Sequence, residues 1–87
     1  MTLYCGIDLH SNNSVVAVLD EQDRAVYEKR LPNDLETITE ALCIYQAELA
    51  ACVVESTYNW YWLVDGLMAL DFPVRLAHTS ALPEYSG

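Results

Sequence analysis

Two carboxylates stand where this sequence could do chemistry. Asp8 follows the apolar stretch Leu3-Tyr4-Cys5-Gly6-Ile7, and Glu55 follows Ala51-Cys52-Val53-Val54. Short apolar runs of this length read as buried strands, so each acid falls at the C-terminal end of a strand. Ligands of open α/β sheets gather outside that end. If the two strands are parallel neighbours, about 4.8 Å apart, both side chains reach one cation. A pair of acids completed by water and substrate phosphate suits magnesium, or manganese in its place. Metal held there activates a nucleophilic water and stabilises the leaving oxygen in phosphodiester cleavage.

Other side chains carry weaker chemical signals. His10, two residues after Asp8, would share its face on a continuing strand. It reads either as a group behind the carboxylates that orients them or a phosphate, or as a plain turn histidine; His78 has the weaker case. Tyr58, Trp60, Tyr61 and Trp62 cluster at the start of a helical segment. Trp60 fits that helix's core stripe, whereas Tyr58, Tyr61 and Trp62 fall on other faces. There they suit base stacking, self-association or packing against further chain. Ser11, Ser14, Ser56 and Thr57 have no base placed beside them and read as caps and turn residues.

The elements that must position these groups follow from the patterning. Leu3 to Leu9 is a first strand and His10-Ser11-Asn12-Asn13 a turn. Ser14 to Leu19, rich in β-branched residues, is a second strand. Asp20 to Asp23 is a polar turn, and Ala25 to Leu31 a third, more exposed strand closed by Pro32. The short connections imply an antiparallel meander. Lys29 and Arg30 then protect its edge. The period changes at Asn33 or Asp34, either of which caps a helix, with Glu36 placed to complete a capping box from Asn33. Leu35, Ile38, Leu42, Tyr45 and Leu49 form one apolar stripe of about four turns, with Glu36, Glu40 and Glu48 on the solvent side. A brief strand over 51–55 follows. Ser56 or Thr57 caps a second helix over 58–70 with the stripe Trp60, Leu63, Val64 and Leu67. After the loop at Asp71-Phe72-Pro73, Val74 to Ala77 is a fifth strand.

The order β-β-β-α-β-α-β, with helical crossovers joining parallel strands, predicts a mixed α/β sheet in the order 3-2-1-4-5. Asp8 and Glu55 then emerge side by side.

Composition bounds the rest. The chain has 87 residues, 53% of them hydrophobic, and 13 acids against 4 bases give a net charge of −9. That is one domain with a modest core. No apolar run approaches the ~20 residues of a membrane span, and the N-terminus lacks a signal-peptide pattern, so a cytoplasmic protein is expected. A domain this acidic does not itself neutralise phosphates, so either it does not bind nucleic acid or the basic surface lies elsewhere. Cys5, Cys43 and Cys52 are odd in number and lack close pairing. They read as three small buried hydrophobes kept reduced, not as a zinc site or disulfide framework.

Three segments in order carry a resemblance across essentially the whole chain: Tyr4-Cys5-Gly6-Ile7-Asp8-Leu9-His10, then Val53-Val54-Glu55-Ser56-Thr57, then Leu76-Ala77-His78-Thr79-Ser80-Ala81 through Glu84-Tyr85-Ser86-Gly87. They are similar to the DEDD-type transposases of bacterial insertion sequences. The N-terminal domain of that family resembles the RuvC Holliday-junction resolvase and has a ribonuclease H-like fold. The resemblance implies that Asp8 and Glu55 are the first two acids of a catalytic metal set binding Mg2+ or Mn2+. It implies metal-dependent DNA transposition and recombination, with DNA and a structured guide RNA as partners. The family's two further aspartates and the serine of its C-terminal domain have no counterpart within residues 1–87. The expectation is therefore a partial ribonuclease H-like domain that binds metal weakly and does not cleave alone.

Two other classes stay open. An actin-like ATPase fragment shares the strand order, but that class needs a glycine after the first aspartate where phosphate approaches the backbone. Here Leu9 and His10 follow Asp8. A non-enzymatic dimerisation module would use the uncovered aromatics.

Overall fold

The computed structural model describes residues 2–56 and 59–77. Thr57, Tyr58, His78 and the segment 79–87 lie outside the described residues. Five strands, β1 (Leu3–Leu9), β2 (Asn13–Leu19), β3 (Ala25–Pro32), β4 (Leu49–Glu55) and β5 (Val74–Ala77), form one sheet in the order β3-β2-β1-β4-β5. Helices α1 (Leu35–Cys43) and α2 (Tyr61–Ala69) supply the two crossovers. β1 is antiparallel to β2 and parallel to β4, β2 is antiparallel to β3, and β4 is parallel to β5. The expected order is the observed one.

The alternation along β1 explains the layering. Leu3, Cys5, Ile7 and Leu9 are buried, while Tyr4, Gly6 and Asp8 are exposed. Ser14, Val16 and Val18 of β2 and Cys52 and Val54 of β4 are buried with them. Ile38 and Leu42 of α1, Leu63, Val64 and Leu67 of α2, and Phe72 close the same core. No helix among the described residues is long and apolar enough to cross a membrane.

Helix boundaries depart from the sequence reading. α1 stops at Cys43 instead of running four turns to Leu49. Tyr45 N–H donates to the Leu42 carbonyl, a 3₁₀ turn covers Gln46–Glu48, and Leu49 already belongs to β4. The apolar stripe continues, but the chain must turn back early to begin pairing beside β1. Asp34, not Asn33, is the N-cap, accepting from the Thr37 N–H and hydroxyl. α2 begins at Tyr61 with Trp60 as its N-cap and no side-chain cap bond, so Ser56 does not fill that role. Cys43 is exposed, against the expectation of three buried thiols; it sits on the outer side of the last turn of α1.

α2 ends in a motif that two backbone bonds define. Phe72 N–H donates to the Leu67 carbonyl and Asp71 N–H to the Met68 carbonyl. This is the Schellman arrangement, in which the residue past the cap takes a left-handed conformation that glycine adopts without cost. Asp71 fills it at φ 67°. Asp71→Gly should therefore raise stability by a few tenths to about 1 kcal/mol, read as a higher urea midpoint at unchanged slope.

The cap of α1 carries a pH dependence. The Thr37 hydroxyl and N–H hold the Asp34 carboxyl below its ordinary value. A lowered folded-state value means that the contribution of Asp34 is complete above the unfolded carboxylate range. It is lost as pH falls through the folded value. Asp34→Asn still caps but cannot titrate, so thermal melts from about pH 6 down to about pH 2 should show a flatter acid limb for the variant.

Candidate functional site

Asp8 and Glu55 are register partners at the C-terminal ends of the adjacent parallel strands β1 and β4. Both lie on the face that no helix among the described residues covers. Across that face, one row runs Arg30, Val15, Asp8, Glu55, Ala77 from β3 to β5. The next runs Glu28, Ala17, Gly6, Val53, Arg75. Gly6, Asp8, Val15, Ala17, Val53, Glu55 and Ala77, with Ile7, line a shallow depression of about 310 Å³. Its floor is made by small side chains, and its acidic rim by the two carboxylates. A Cβ at Gly6 would meet open space.

His10 joins the corner although β1 ends one residue before it. Its Nε2 lies 3.2 Å from Asp8 Oδ2, with both side chains about half exposed (50% and 53%). His10 lies beyond the end of β1, so it reaches Asp8 by side-chain contact and not by continuing the strand. Among the described residues, no three His, Cys, Asp or Glu side chains converge as a metal-binding group. The corner is thus two carboxylates and an adjoining imidazole.

The loop that carries His10 is pinned by residues the sequence reading assigned elsewhere. Ser14 is fully buried, and its hydroxyl donates to Asn33 Oδ1 at 2.6 Å. Asn33 Nδ2 donates in turn to the His10 carbonyl at 2.7 Å, and His10 N–H to the Asn13 carbonyl. Arg30 Nη1 donates to Asn13 Oδ1. Asn33 therefore ties the β1–β2 turn to the start of α1. The only sequence signal for it was a polar residue just past a strand end, which a helix cap explains equally well.

The aromatic cluster divides. Tyr61 is 61% exposed and its ring centroid lies 4.2 Å from that of Trp60. Trp62 packs against the core with Trp60 instead of standing free for self-association. Tyr58 lies outside the described residues. Lys29 and Arg30 are exposed on the edge strand β3, as expected.

Removing Asn33 strands a buried hydroxyl, which costs more than losing the pair together. Asn33→Ala should lower stability by about 1–3 kcal/mol, and adding Ser14→Ala should recover part of that loss in urea titrations.

No protein-family model matches the chain, and no curated protein does. Solved structures do. T. thermophilus RuvC, determined in complex with a Holliday junction substrate, superposes with a TM-score of 0.71 at 11% identity, over 97% of this chain and 69% of that one. A Ppx/GppA phosphatase of Aquifex aeolicus aligns at a TM-score of 0.47 and 10% identity, over 90% of this chain and 36% of that one. The five-stranded mixed sheet in the order 3-2-1-4-5 with two crossover helices is the ribonuclease H-like fold of RuvC.

Proposed function

We propose that this chain is part of an enzyme that cuts or joins DNA phosphodiester bonds with divalent metal, and that Asp8 and Glu55 are metal ligands in it. The observation that carries this reading is their register pairing at the C-terminal ends of β1 and β4, on the open face of a RuvC-like sheet. The donor chemistry fits a hard cation. Two exposed carboxylates offer oxygen only, and magnesium keeps several waters beside one or two such ligands. When bound, such an ion supplies Lewis-acid polarisation of a phosphoryl oxygen and a more acidic water. Asp8 and Glu55 would hold it. His10, touching Asp8 Oδ2, would restrain that carboxylate.

The finer reading, a DEDD-type insertion-sequence transposase, rests on the Gly-Ile-Asp and Val-Val-Glu-Ser-Thr segments. It adds two further aspartates and a serine beyond these residues, and DNA with a structured guide RNA as partners. DNA as partner draws further support from the Holliday junction held by the RuvC neighbour. Thirteen acids against four bases mean that phosphate contacts must use basic surface outside this chain. In the aromatic cluster, Tyr61 is left for contact with a base or a second copy. The actin-like ATPase reading gains nothing from the β1–β2 turn, which has no glycine.

A ligand bound only by the folded state stabilises it. At a metal concentration about ten times Kd, Mg2+ or Mn2+ should raise Tm by roughly 5–10 °C. NaCl at matched ionic strength controls for screening of the net charge of −9. Asp8→Asn and Glu55→Gln should each abolish the metal-specific part, and His10→Ala should weaken it. A response unchanged in Asp8→Asn would remove the site.

A further inference from the structure

Cys5 and Cys52 are register partners on β1 and β4, three residues before Asp8 and Glu55 respectively. Both are buried, at 3% and 0% exposure, on the helix-covered face. Their α-carbons belong to neighbouring strands, and the strand spacing of about 4.8 Å falls inside the range of about 4.4–6.8 Å that disulfides span. Both side chains leave the sheet in the same direction, because parallel register partners share a face. The two thiols are near enough to perturb each other's ionisation. Linear spacing hides this pair, since 46 residues separate the two cysteines and only the register brings them together.

We propose that Cys5 and Cys52 are a redox pair that closes to an intramolecular disulfide across β1 and β4. The oxidant is a small peroxide. The Cys52 sulfur, as thiolate, attacks one peroxide oxygen; the O–O bond breaks, the first water leaves and Cys52 becomes a sulfenic acid. The Cys5 sulfur then displaces the hydroxyl of that sulfenic acid, forming the S–S bond as its own proton leaves with the hydroxyl as the second water. Two thiols lose two electrons and two protons, and one peroxide becomes two waters. Cys52 is assigned as the first to react because its strand, β4, adjoins the four-residue edge strand β5, whereas β1 lies between β2 and β4. The Cys52 thiol and burial push the Cys5 thiol far up, while the hydrogen bond from Cys5 lowers Cys52. Access is for a small oxidant through local opening at β5, a four-residue edge strand beside β4. The bond would clamp the two strands that carry Asp8 and Glu55, and it stands whether or not those carboxylates bind metal.

The test uses the chain with Cys43→Ser, which removes the exposed thiol that would otherwise link two copies. The folded protein is treated with hydrogen peroxide without denaturant. The expected result is the loss of two hydrogen atoms in intact mass, a Cys5–Cys52 cross-linked peptide after digestion, and a Tm higher by about 15–30 °C that dithiothreitol reverses. That shift is the size expected for closing a loop of roughly 50 residues. Cys5→Ala and Cys52→Ala should each abolish the cross-link, and circular dichroism of the reduced variants reports whether they are folded. Free thiols, over-oxidation to sulfinic acid without a cross-link, or a bond formed only in denaturant would each overturn the proposal.

Discussion

The parallel pairing of β1 with β4 is the constraint on which the rest of the structure depends. β3 runs parallel to β1 and β4 because two antiparallel steps separate it from β1. The connections β3–α1–β4 and β4–α2–β5 are therefore both parallel crossovers, and both step in the same direction along the sheet. Right-handed crossovers that step the same way place their helices on the same face. This is why α1 and α2 share one core and, among the described residues, the opposite face carries no helix. The open face follows from strand order and handedness, without any special feature of its own residues.

Side-chain parity then decides what lies on each face. Along β1 the period of two sends Cys5, Ile7 and Leu9 to the core and Tyr4, Gly6 and Asp8 outward. The register of β4 against β1 does the same for Cys52 and Val54 against Val53 and Glu55. A one-residue slip of either strand would turn its acid to the core and expose its apolar set, so core burial fixes the acids side by side. The thiol pair and the carboxylate pair are two readouts of one register, three residues apart and on opposite faces.

Much of this was legible in the sequence. Strand order followed from connection length and from the change of period after Pro32, both of which depend on local chemistry. Asp8 and Glu55 stood out because each ends an apolar run. What the sequence concealed depends on tertiary contact. The helical stripe through Tyr45 and Leu49 has the right spacing, but pairing with β1 claims Leu49 for β4. Asn33 looks like a cap, yet buried Ser14 needs a partner and takes it, leaving Asp34 to cap α1. Trp62 falls off the apolar stripe and still packs against the core. The Cys5–Cys52 contact needs the register, which no linear spacing reports.

The exposure of the carboxylate corner is part of its chemistry. Two like charges about 4.8 Å apart repel by roughly 1 kcal/mol when water screens them, and by several times more as the effective dielectric falls. On a solvent-exposed face, that repulsion is small enough for Asp8 and Glu55 to remain together, with the His10 imidazole against Asp8 Oδ2. Covering the same face would exclude the water that screens them. The pair would then need a cation between them. Arg30, the row-mate on β3, lies two strands from Asp8, and its guanidinium is engaged by Asn13. Arg75 sits one row away beside Val53. Neither is positioned by register to take that place. A surface that approaches this face therefore encounters an acidic corner whose charge favours bringing a cation with it, and the small residues Gly6, Ala17 and Ala77 leave room for the approach.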